Sequence, residues 1–134
     1  MEILKQNMKI VWAGRVATVL AALPFIPSAI MKLTANPKVV EGMNHLGLPE
    51  YLIIPLGILE TLCVVVYLIP MTSVLGSILL TGYIGGAILT HLRVGESVLM
   101  QIAIGLLIWL GPYLREPRLR ELLPLRRSRN HSLT

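Results

Sequence analysis

A few residues able to do chemistry stand in otherwise oily surroundings. Glu60 is the one charge in the apolar run 51–69, and Arg15 is the one charge in the run 10–31, with Lys32 at its edge. His91 and Arg93 close a third run, 74–92. An unpaired charge in hydrocarbon costs at least about 2.5–3.5 kcal/mol on insertion scales, so each of these groups needs a partner or a wet cavity. A carboxylate so placed can serve as a general acid or base. Cations beside it can polarise an oxygen. Lys32, His91 and Arg93 near one edge, with Glu60 deeper and His45 on a lid, could hold an anionic or carbonyl-bearing small molecule or a quinone head.

Helical spacing decides which groups can meet. Arg15, Thr18, Ala22, Phe25, Ala29 and Lys32 recur at intervals of three and four and form one stripe, with Ser28 beside it. The stripe carries both charges and is expected to face inward. Gly57, Glu60, Val64 and Tyr67 share a face of the second run. Helix rise places Arg15 and Glu60 about 8–9 Å apart in depth, within side-chain reach once tilt is allowed. An Arg15–Glu60 pair is therefore expected, either to fix helix order or to serve a function. Arg15 could instead reach back to the inner headgroups, and Lys32 and Arg93 could simply sit at the outer ones. The ligand-pocket candidates are Arg15, Lys32, Glu60, Tyr67, His91 and Arg93.

The elements that position them follow from composition. The chain has 134 residues, 54% hydrophobic and 14% charged, against roughly 25% charged in average globular chains. Mean hydropathy is +0.72. So small a water-soluble chain cannot hide that much apolar surface, and disorder requires low hydrophobicity. The fold class expected is all-α: a transmembrane four-helix bundle forming a single domain, with spans near 10–31, 51–69, 74–92 and 98–114. A span needs about 20 apolar residues, and Pro70-Met71-Thr72-Ser73 divides the long run into two. Pro24 is expected to disrupt the first helix by leaving the Leu20 carbonyl without its donor. Between the first two spans, Pro37 can open a short interfacial helix, which Gly47 stops. Gly82 and Gly86 form a G-x-x-x-G face, with Gly85 beside them, that predicts close helix packing. On the fourth span, Trp109 and Tyr113 suit an inner aromatic belt.

Net charge is +5, and six of the twelve cations are arginines between Arg115 and Arg129. Placed after the last apolar run, they predict a basic cytoplasmic tail, 115–134, that anchors topology, with both termini inside. The cation bias argues against dual topology. No nucleic-acid module accompanies the charge. Cys63 is the sole cysteine, which excludes an intramolecular disulfide and dithiol redox chemistry for the chain acting alone. Three scattered histidines make neither a zinc set nor an evident pair of haem ligands. Arg15, Pro24 and Pro27 interrupt the first run, which does not read as a cleaved signal.

Phe25-x-x-Ser28-x-x-x-Lys32-Leu33, Gly47-Leu48-Pro49, Leu75-Gly76, Leu79-Leu80-Thr81-Gly82-Tyr83, Gly85-Gly86-Ala87 and Thr90-His91-Leu92-Arg93 follow one another in order. Together, from about Trp12 to Leu114, they resemble the DoxX-like membrane proteins. The resemblance implies a four-helix transmembrane bundle, mostly in bacterial inner membranes. Some relatives are subunits of a thiosulfate:quinone oxidoreductase, and others are tied to oxidative-stress and thiol-linked complexes. No catalytic residue is carried over.

Three functions fit. The first is an accessory or small-ligand-binding component of membrane redox metabolism, with a quinone as possible cofactor, the bilayer as its medium and a redox protein as partner. The second is a small membrane enzyme, an isomerase or hydrolase of a lipophilic substrate, with Glu60 as acid/base. The third is a proton- or cation-coupled transporter built as a homo-oligomer.

Overall fold

Prolines and chain reversals set the helix boundaries. The computed structural model describes residues 2–122, and all its elements are helical: α1 (Glu2–Ala22), α2 (Phe25–Leu33), α3 (Pro37–His45), α4 (Ile53–Leu68), α5 (Ser73–Arg93), α6 (Leu99–Arg115) and α7 (Pro117–Leu122). Short 3-10 turns, Glu50–Leu52 and Pro70–Thr72, lead into α4 and α5. Arg126, Arg127 and Arg129 of the expected tail lie outside the described residues.

Three helical stretches are long and apolar enough to cross a membrane: Glu2–Leu33, Glu50–Leu68 and Pro70–Arg93. Leu99–Arg115 is apolar but has 17 residues, about 26 Å of helix. The first stretch starts earlier than hydropathy suggested, at Glu2. It breaks at Leu23–Pro24, where proline supplies no N–H for the Leu20 carbonyl.

That break changes neighbours. α1 packs on α6, whereas α2 packs on α4; α5 lies between α4 and α6 and touches both. At the α1–α6 crossing Gly14 faces Gly111, and Thr18 fills the space a side chain on Gly111 would need. Gly76 of α5 lies against the Tyr67 backbone in the same way. Gly57 of α4 lies against the Lys32 Cβ and the Leu33 backbone of α2. The core between these seams comprises Ala21, Ala22, Phe25, Cys63, Val64, Tyr67, Leu80, Ile84 and Ile108.

Gly82, Gly85 and Gly86 make no close helix contact within the described residues of this chain. A Cβ built on any of them meets nothing within 4 Å. Close approach in this chain occurs at Gly14, Gly57, Gly76 and Gly111 instead, because those glycines face the seams and the G-x-x-x-G face does not.

Pro112, inside α6, removes the donor that the Ile108 carbonyl would use. Tyr67 Oη donates to that carbonyl at 2.9 Å, and Ser77 Oγ approaches it at 3.4 Å. Buried backbone groups must be paired, so the proline and the tyrosine hydroxyl are complementary. Trp109 Nε1 ties α6 to α5 by donating to Thr81 Oγ1 at 2.8 Å. Arg120 donates to the Tyr113 and Leu114 carbonyls, satisfying the end of α6.

Three helix ends reverse in one manner. After α2, Ala35 N–H donates to Lys32 O and Asn36 N–H to Met31 O; after α3, Gly47 donates to Asn44 O and Leu48 to Met43 O; after α5, Gly95 donates to Leu92 O and Glu96 to His91 O. These are Schellman reversals, which need a left-handed residue. Gly47 and Gly95 supply it at φ 74° and 79°, while Ala35 adopts φ 48° at a steric cost. Asn36 then caps α3 through Oδ1, accepting from Lys38 N–H at 3.0 Å, with Pro37 in the first turn.

Candidate functional site

Gly57 allows α2 to approach α4 one turn before Glu60, and this brings Lys32 to the carboxylate. Lys32 Nζ lies 2.7 Å from Glu60 Oε2. The ammonium also donates to Ser28 Oγ at 2.6 Å. Ser28 Oγ in turn donates to the same carboxylate oxygen at 3.3 Å, and Tyr83 Oη donates to it at 3.1 Å. The acid is 1% exposed. Tyr83 also stands 5.8 Å, centroid to ammonium, from Lys32 and edge-on to Phe25. All three bonds to Glu60 fall on Oε2; among the described residues none falls on Oε1.

These polar groups line a cavity of about 530 Å³, within the usual range for small-molecule sites. Its other walls are mostly apolar: Leu52 from the turn before α4, Leu56 and Leu59 from α4, Ile84 and Ala87 from α5, Met43, Leu46 and Leu48 from α3 and its reversal. Met43 is 6% exposed and plugs the mouth. His91 lines the same wall. Its Nδ1 is 2.7 Å from the Ala87 carbonyl. A carbonyl only accepts, so Nδ1 carries a proton.

The mouth is latched. His45, the last residue of α3, is 2.8 Å from Glu96, whose carboxylate also lies 3.7 Å from His91 Nε2. The reversal at Gly95 carries Glu96 back to that position. Arg93 donates to the Leu46 carbonyl.

The structure thus brings Lys32, Glu60 and His91 together. It does not bring Arg15, Tyr67 or Arg93 to them. Arg15 is exposed, its guanidinium 5.8 Å from the Trp12 ring. It rides on α1, which faces α6, and the nearer cation on α2 holds the carboxylate. The stripe expected to face inward is buried at Thr18, Ala22, Phe25 and Ala29, but not at its Arg15 end. Tyr67 is fully buried and engaged with Ile108, away from the cavity. Arg93 acts on the lid from outside.

Sequence reasoning passed over Tyr83, Glu96 and Met43. Tyr83 was within reach of it: Tyr83, Ala87, Thr90 and His91 recur at helical spacing on one face. Glu96 depends on a reversal whose direction no periodicity reveals.

No curated protein and no solved structure matches this chain. Residues 16–111 match the DoxX-like family. The match covers most of the sequence, and the chain belongs to the DoxX-like family.

Proposed function

We propose that this chain is an integral membrane protein of four spans that binds a small lipophilic molecule as an accessory component of membrane redox metabolism. In this reading α6 crosses as the fourth span, α3 lies at the outer interface and both termini are cytoplasmic, in a bacterial inner membrane. Family membership and the apolar helices support the membrane setting. The excess of cations at the two ends supports the orientation. One observation carries the binding role: an apolar cavity of about 530 Å³ with the Lys32–Glu60 pair in its wall. Apolar walls with a few fixed polar groups suit a hydrophobic molecule with an oxygen-bearing head, of which a quinone is the chemical model. A redox protein docking on the same chain would complete the function.

The test is retention. Protein extracted gently and placed in nanodiscs is expected to carry a prenylquinone or similar molecule detectable by mass spectrometry, and to bind decylubiquinone at one per chain. Lys32→Met is expected to weaken that binding about tenfold or more, the worth of a charged hydrogen bond. Absence of any retained or added ligand, or unchanged binding by the variant, would reject the reading.

A second reading is an enzyme acting on a lipophilic substrate. It is favoured by the Oε1 atom of Glu60, the acceptor its neighbours leave untouched. Turnover that survives Glu60→Gln would remove it.

A further inference from the structure

The cavity has two possible approaches. The approach past α3 is closed by buried Met43 and fastened by His45–Glu96 and by Arg93 on the Leu46 carbonyl. Among the described residues no ion pair or side-chain hydrogen bond other than that of Tyr83 to Glu60 fastens the approach between α4 and α5 at the level of Leu59 and Gly82. Gly82 and Gly86 line the cavity and are also exposed, with open space where their side chains would be. Leu59, across from them, lines the cavity and is 48% exposed. The wall is therefore incomplete along this edge, and in a bilayer such an edge faces acyl chains. An opening bordered by leucine and glycine offers no hydrogen bonds, so it suits a hydrocarbon tail and excludes a strongly hydrated molecule.

The head is specified from inside. Lys32 and Glu60 neutralise each other, so a charged head would gain no counter-ion there. Lys32 has three ammonium protons, of which Ser28 and Glu60 take two. An ionised Glu60 offers Oε1 as an acceptor and never as a donor. A single oxygen that donates to Oε1 and accepts from Lys32 is a hydroxyl oxygen, as on the quinol form of a quinone head.

We propose that the cavity is filled sideways from the lipid phase, through the gap at Gly82, Gly86 and Leu59, by an uncharged single-tailed lipid whose hydroxyl head meets Lys32 and Glu60. The proposal deepens the ligand-binding reading and rests on it. It gives the G-x-x-x-G face a role that helix packing does not.

The experiment uses the full chain in phosphatidylcholine nanodiscs containing hexadecanol with a mid-chain diazirine, or the methyl ether of that alcohol, which accepts but cannot donate. On irradiation the alcohol is expected to label peptides within 52–60 and 82–91, and the ether to label them about tenfold less, as loss of a hydrogen bond to a charged group implies. The double variant Gly82→Leu/Gly86→Leu, with an unchanged melting temperature, is expected to be labelled about tenfold more slowly, as for a blocked access step. If the double variant does not fold, Leu59→Trp narrows the same gap from α4. Absence of labelling in an unaltered chain that still binds decylubiquinone would overturn the proposal and leave the binding reading standing. Labelling of the unaltered chain with equal rates in the narrowed variants would overturn the sideways route alone. Equal labelling by alcohol and ether would overturn the hydroxyl head.

Discussion

Lys32 and Glu60, 28 residues apart, form an ion pair at 2.7 Å whose acid is almost wholly enclosed. Breaking a buried pair from one side leaves a charge without a counter-ion, which costs about 3–5 kcal/mol, whereas replacing both partners is far milder. Lys32→Met, which strands the enclosed Glu60 carboxylate, is expected to lower unfolding stability in detergent by about that much, and Glu60→Leu by less, because the Lys32 it leaves behind is partly exposed. The double variant is expected to recover most of the loss. Equal loss in single and double variants would mean that the pair does not act as a unit.

The Tyr67 hydroxyl is needed because Pro112 withholds an N–H from Ile108. Tyr67→Phe is expected to cost about 1–2 kcal/mol. In a Pro112→Ala background, where α6 supplies its own donor, the same change is expected to cost clearly less. A double-mutant cycle by thermal unfolding measures the difference, and additivity would contradict the pairing.

Glycine positions separate into two groups. Gly57→Ala, Gly76→Ala and Gly111→Ala place a methyl group into a neighbouring helix and are expected to destabilise by about 1–3 kcal/mol. Gly82→Ala and Gly85→Ala meet open space and are expected to be neutral or to stabilise by up to about 1 kcal/mol through the helix preference for alanine. Thermal melts of the five variants check this; destabilisation by Gly85→Ala would indicate a second molecule packed on that face.

Ala35 occupies a left-handed position that glycine fills at the other two reversals. Ala35→Gly is expected to raise stability by about 1 kcal/mol. An unchanged or lower melting temperature would count against the reversal as described.

The lid rests on exposed contacts, so it should open without global unfolding. Glu96→Gln and Arg93→Ala are expected to speed amide hydrogen exchange in α3 and residues 46–48, leaving α4 and α5 unchanged. Uniform acceleration across the chain would instead indicate a general loss of stability.

Much of the helical layout was legible because apolar runs and prolines are local signals. The break at Pro24, the helix opening at Pro37 and the stop at Gly47 could be read from single residues. The choice of partner for Glu60 could not. Depth arithmetic favours Arg15 because the stripe from Arg15 to Lys32 reads as one inward face across the break, whereas α1 and α2 face different neighbours. The glycine motif does not mark the seams within the chain, for a related reason. Small residues permit close approach but do not require it, and only the three-dimensional arrangement shows that Gly57 and Gly111 are used and Gly82 is not. Glu60 itself stood out because a lone acid in hydrocarbon must be answered by something.

The change of neighbours at Pro24 also divides how strain travels. Injury to the Gly14–Gly111 seam burdens α1 and α6, while movement of Lys32 burdens α2 and α4, and the missing hydrogen bond at the proline is the softest point between them. Lesions confined to Gly14 or Gly111 on one side and to Gly57 on the other share no partner, so they should combine as independent quantities rather than amplify one another.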